Sequence, residues 1–108
     1  MRYELRWVDE RSRDRFLALK ESTKDDQQLF TSIERTFEKL KLNPFRGESI
    51  KKGRIPSEYR HFCNLFKMNI NQYWRLLYTV KSLDRNDTLV IVLDFLPHNE
   101  YDRLFGYD

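Results

Sequence analysis

The sequence has a single cysteine and no long apolar run. Cys63 alone excludes an intrachain disulfide. No apolar stretch approaches the roughly 20 residues needed to span a bilayer. The opening "MRYELRWVDE" has no apolar core, so it does not read as a signal peptide. A cytoplasmic protein without membrane contact is expected. No repeat, low-complexity segment or linker divides the 108 residues, which are expected to form one domain, 1–108. Metal-ligating spacing is missing too: His61, Cys63 and His98 match no zinc pattern. On a strand His61 and Cys63 would share a face, the arrangement of a nucleophile pair, but nothing else organises them. Cys63 reads as a small buried hydrophobe.

What remains is ordinary for a folded protein: 40% hydrophobic, 15% aromatic and 34% charged. The formal net charge of +3 is unevenly spread. Residues 46–75 carry seven basic side chains (Arg46, Lys51, Lys52, Arg54, Arg60, Lys67, Arg75) against Glu48 and Glu58. Such a stretch fits a phosphate backbone, or simply a solvated loop.

Tyr3 to Val8 reads as a short first strand. Asp9 is a plausible N-cap for a charged helix that turns Phe16 and Leu19 inward. Thr23 or Asp25 caps a second helix, where Leu29, Ile33, Phe37 and Leu40 form one apolar stripe. Asn43-Pro44 ends it. The segment "FRGESIKKGRIPSEYR" is a loop with room for one helical turn. Three strands follow, roughly Phe62–Asn69, Gln72–Lys81 and Thr88–Leu96, with Leu83 to Asp87 turning between the last two. This order predicts an α+β fold: two helices on one face of a twisted, mostly antiparallel four-stranded sheet.

Pairing Asn69 with Tyr73 matches Met68 with Trp74 and Phe66 with Leu76. That face packs on the helices. The same register sets Lys67 directly across from Arg75. Like charges so opposed call for a neutralising carboxylate, with Asp94 the internal candidate, or for a bound anion. Arg75, held mid-strand in "YWRLLYTV", offers a fixed fork of donors for phosphate. In the tail, Leu104 and Phe105 read as packing residues.

Two segments, "NLFKMNINQYWRLLYTV" and "VIVLDFLPHNEYDRLFGY", together resemble the toxins of the RelE/ParE superfamily, the toxin halves of prokaryotic toxin–antitoxin pairs. The resemblance implies two helices on a twisted antiparallel sheet. Its RelE-like branch implies a metal-independent endoribonuclease that cuts mRNA, typically on the ribosome, by attack of a ribose 2′-hydroxyl on the adjacent phosphate. It assigns Arg75, Lys67, His98, Tyr101 and Arg103 to catalysis. Lys51, Lys52, Arg54, Arg60 and Tyr107 would bind RNA. No cofactor and no metal is implied; a cognate antitoxin, mRNA and the ribosome are the implied partners. The ParE-like branch offers the alternative, a non-catalytic protein that binds DNA gyrase; an inactive member of the family is a further one.

Overall fold

The computed structural model describes residues 2–84 and 87–106. In chain order the elements are β1 (Arg2–Trp7), α1 (Glu10–Ala18), α2 (Lys24–Leu42), β2 (Glu48–Ser49), β3 (Phe66–Asn69), β4 (Trp74–Ser82), β5 (Asp87–Pro97) and α3 (His98–Phe105). The sheet has five strands, ordered β1-β5-β4-β3-β2. β1 runs parallel to β5; the other pairs are antiparallel. The expected four strands become five because the basic loop contributes the two-residue β2, which pairs Glu48 with Lys67.

The helix ends are set by local chemistry. The Asp9 carboxylate accepts the Ser12 N–H at 2.8 Å, and that bond is the main reason its pKa is lowered. Thr23, not Asp25, caps α2 through the Asp26 N–H at 3.2 Å. Asn43 is the C-cap, extended before the buried Pro44. α3 stops at Gly106, whose φ of 75° is the left-handed value glycine adopts without steric cost.

The apolar stripe of α2 is buried against Leu76, Tyr78 and Val80 of β4 and Val90, Val92 and Phe95 of β5. Trp7 and Phe16 join it, their rings 5.1 Å apart. Alternation in β4 sends Leu77 to the opposite face. There a second cluster forms from Ile55, Leu65, Leu77, Leu93, Leu96 and Tyr101, with Leu104 and Phe105 packed against it. The loop and α3 therefore roof the face that α1 and α2 leave open. A bulge where Leu77 pairs with Asp94 but Tyr78 with Val92 leaves Leu93 as the extra residue, and Leu93 joins the second cluster.

Three expectations are corrected. Residues 62–65 are not strand; Asn64 instead bonds the β4 backbone through its side chain, with Nδ2 donating to the Val80 carbonyl and Oδ1 accepting the Val80 N–H, each at 2.9 Å. Cys63 is exposed, not buried. The β3–β4 register is two residues off the expected one: Met68 pairs with Leu76, Lys67 with Leu77 and Asn69 with Arg75. A shift of two keeps every side chain on its expected face but separates Lys67 from Arg75 diagonally. The opposed like charges do not exist.

Candidate active site

The start of α3 bonds the turn 70–73, and β2 extends the sheet beyond β3. Arg75 is half-buried on β4. Its Nη1 donates to the carbonyls of Asn71 (3.3 Å), Gln72 (3.4 Å) and Trp74 (3.3 Å). Carbonyls orient a guanidinium without cancelling its charge, and no carboxylate among the described residues pairs with it. Asp94, its suspected partner, is taken by Arg15 of α1 at 2.7 Å. Arg15 also lies 4.0 Å above the Phe95 ring and donates to the Phe95 carbonyl.

His98 opens α3 immediately after β5. Its backbone N–H donates to the Tyr73 carbonyl at 2.7 Å. Its ring meets the Tyr73 ring edge-on, centroids 4.7 Å apart. Nδ1 lies 3.9 Å from the Asp102 carboxylate one turn along α3, and the side chain is 42% exposed. Arg75 and His98 thus both anchor on the turn 71–73, an unneutralised cation and an accessible imidazole at one end of the sheet.

Lys67 lies on the same face. Its ammonium is 3.0 Å from the Glu48 carboxylate and 5.6 Å from the centroid of the Tyr101 ring. Glu48, Lys51, Arg54 and Tyr101 line a cleft of about 270 Å³. Tyr101 is only 5% exposed and packs on Phe105 at 4.4 Å. It belongs to the second core and lines the cleft.

The remaining sequence candidates fall elsewhere. Lys52 and Arg60 line a neighbouring recess with His61 and Cys63, and Arg60 Nε is bound to the Ile55 carbonyl at 3.2 Å. Arg103 is exposed on α3, about 200° around the helix from Tyr101. Tyr107 lies outside the described residues. Glu48 and Tyr73 were not singled out from the sequence. Glu48 sits in a charged loop with nothing to mark it, and only the β2–β3 pairing brings it to Lys67. Among the described residues, no group of three or more His, Cys, Asp or Glu side chains is gathered to hold a metal ion.

Two helices on one face of the sheet and a short C-terminal helix on the other make up a fold that the chain shares with a solved toxin. The chain is similar in structure to the YoeB/ParE toxin from Agrobacterium tumefaciens, with a TM-score of 0.62 over 88% of this chain and 98% of that one at 16% identity. No protein-family model matches the chain, and no curated protein matches it in sequence.

Proposed function

We propose that the protein is the toxin of a toxin–antitoxin pair and cuts mRNA by transesterification. The fold supports the toxin reading. The nuclease reading rests on one observation: Arg75, held by three carbonyls, and His98, held by Tyr73, flank the same turn.

The step requires a base, an acid and cationic stabilisation. The Glu48 carboxylate takes the proton from the ribose 2′-hydroxyl, whose oxygen then attacks the adjacent phosphorus. The P–O5′ bond breaks, and protonated His98 gives its proton to the leaving 5′-oxygen. The products are a 2′,3′-cyclic phosphate and a 5′-hydroxyl. Arg75 and Lys67 carry the phosphorane charge, and Lys51 and Arg54 hold the flanking backbone. Arg103, Lys52, Arg60 and Tyr107 belong to a wider RNA surface. The reaction needs no metal, and it takes place in the cytoplasm, on mRNA presented by the ribosome. Among the described residues no helix is long and apolar enough to cross a membrane. A cognate antitoxin restrains the protein.

The test is mRNA in a translation extract. The wild type is expected to yield fragments with cyclic-phosphate and 5′-hydroxyl ends; Arg75→Ala and His98→Ala should abolish them. Intact mRNA in the presence of wild-type protein overturns the nuclease reading. Growth arrest that survives His98→Ala would assign the toxin to protein binding instead.

A further inference from the structure

On the helix side of the same turn lies a groove that the cleavage chemistry does not use. It has a volume of about 530 Å³ and is lined by Asp25, Gln28, Ser32, Gln72, Tyr73 and Trp74, among others. That volume falls in the range of sites that hold small organic ligands. A second hollow along α2 shares Gln28 and Ser32 and adds Lys24 and Arg35. Lys24, Gln28, Ser32 and Arg35 recur at helical spacing, so they form one polar face of α2. Tyr73 belongs to both sides of the turn: it lines the groove and touches the His98 ring.

We propose that this groove binds the single strand next to the linkage being cut, which makes the β3–β4 turn the ridge over which RNA passes. The proposal rests on the nuclease reading and extends it to a flanking nucleotide. Tyr73 is 54% exposed, and its backbone and ring are both in contact with neighbours. Its N–H and that of Trp74 both donate to Asn71 Oδ1 at 2.8 Å, and His98 fixes its ring. A fixed, exposed aromatic wall is what a splayed base stacks on. The side-chain amides of Gln28 and Gln72 have no hydrogen-bond partner among the described residues. Each offers donors and an acceptor, matching the edges of any base. Lys24 and Arg35 have no carboxylate partner among the described residues and suit phosphates. Asp25 is the opposing charge within the groove, which favours an occupant read by its bases there and by its phosphates further along α2. The amides, the rings of Tyr73 and Trp74 and the cations further along α2 together suit a stacked base and its phosphates.

The probe is a fluorescent single-stranded RNA of about 12 nucleotides, within the span such surfaces cover, with 2′-O-methyl riboses that prevent cleavage. Wild-type affinity is measured across a salt series. The double variant Lys24→Ala/Arg35→Ala is expected to bind about tenfold more weakly, and its slope of log K against log salt should flatten by about 1.4, roughly 0.7 for each lost phosphate contact. A 4-thiouridine in the same RNA should cross-link to the segments carrying Gln28 or Tyr73. Unchanged affinity and slope, no binding by the wild type, or cross-links confined to Glu48–Arg54 and α3 would overturn the groove. Loss of partner-protein binding in the double variant with RNA binding intact would also overturn it, and would give the groove to a protein. Cleavage of mRNA in the translation extract is scored separately. Groove-dependent binding without any cleavage would sink the nuclease reading alone; cleavage indifferent to the double variant's binding defect would sink the groove's link to it.

Discussion

The Tyr78 hydroxyl accepts the backbone N–H of Gly47 at 2.9 Å, and this contact joins the sheet interior to the strand that carries Glu48. A Cβ on Gly47 would lie 2.5 Å from that hydroxyl and 2.7 Å from the Lys67 carbonyl. Neither can yield freely: the Tyr78 ring is fully buried and stacked on Phe66, and the carbonyl is backbone. Burial raises the Tyr78 pKa, with the Gly47 bond opposing, so the phenol stays protonated at neutral pH. Gly47→Ala is expected to cost about 1–3 kcal/mol, as overpacking does, and to displace Glu48 from Lys67. Urea unfolding checks the first effect and the cleavage assay the second. Wild-type stability in Gly47→Ala would show that the loop moves without cost.

Asn64 does the work that a longer β3 would have done. Besides its two bonds to Val80, its Oδ1 accepts the Thr79 hydroxyl at 2.6 Å. Thr79 is buried, so Asn64→Leu strands a hydroxyl and a backbone N–H away from water. The expected loss is about 2–6 kcal/mol, given about 1–3 kcal/mol for each of the two buried groups left unsatisfied. Amide hydrogen exchange should report it, with the Val80 N–H losing protection first. An unaltered Val80 exchange rate would mean that water replaces the amide without penalty.

Much of the helix layer was legible because its signals are periodic. The α2 stripe, the caps at Asp9 and Thr23 and the stop at Asn43 each follow from local rules. The residues of the candidate site were legible in part. Arg75 is recognisable as a cation placed inside a strand, and His98 as an imidazole just past one. The geometry joining them is set by non-local pairing, which local pattern does not specify. Matching apolar residues fixes which face a strand presents but not a shift of two, so Lys67 was set against Arg75 when its partner is Leu77. The Glu48 contact depends on a two-residue strand that no periodicity marks. Asp94 was the carboxylate that the last strand offered, but the fold brings it to Arg15, 79 residues away.

Tyr59 gives the fold an alkaline limit. Burial, then the Asp94 charge and the Glu58 charge, push its pKa to about 12, with Arg15 opposing. The unfolded chain has an ordinary phenol near 10. Below about 10 both states are protonated and stability is unaffected by pH through this group; between about 10 and 12 the unfolded state ionises first, and stability falls as pH rises. Tyr59→Phe is expected to remove that component of the decline, leaving the part due to lysines. Identical alkaline stability profiles for the two proteins would place the Tyr59 hydroxyl in contact with solvent.

Glu48 separates a catalytic carboxylate from a counter-ion. Its side chain is 73% exposed and its bond to Lys67 is at the surface end of that pair, so the ion pair contributes no more than about 1 kcal/mol to stability. Glu48→Gln keeps the shape and removes the carboxylate proposed as the base. It should leave the urea midpoint nearly unchanged while slowing cleavage by about 10²–10⁴-fold, the usual contribution of a general base. Lys67→Met removes the ammonium but leaves the carboxylate. If Glu48 only holds Lys67 in place, both variants should slow cleavage equally and the double variant should be no slower than either. If Glu48 takes the proton, the acidic limb of the pH–rate profile should vanish in Glu48→Gln and persist in Lys67→Met. An acidic limb retained in Glu48→Gln would remove the carboxylate from the chemistry and leave His98 to serve as base.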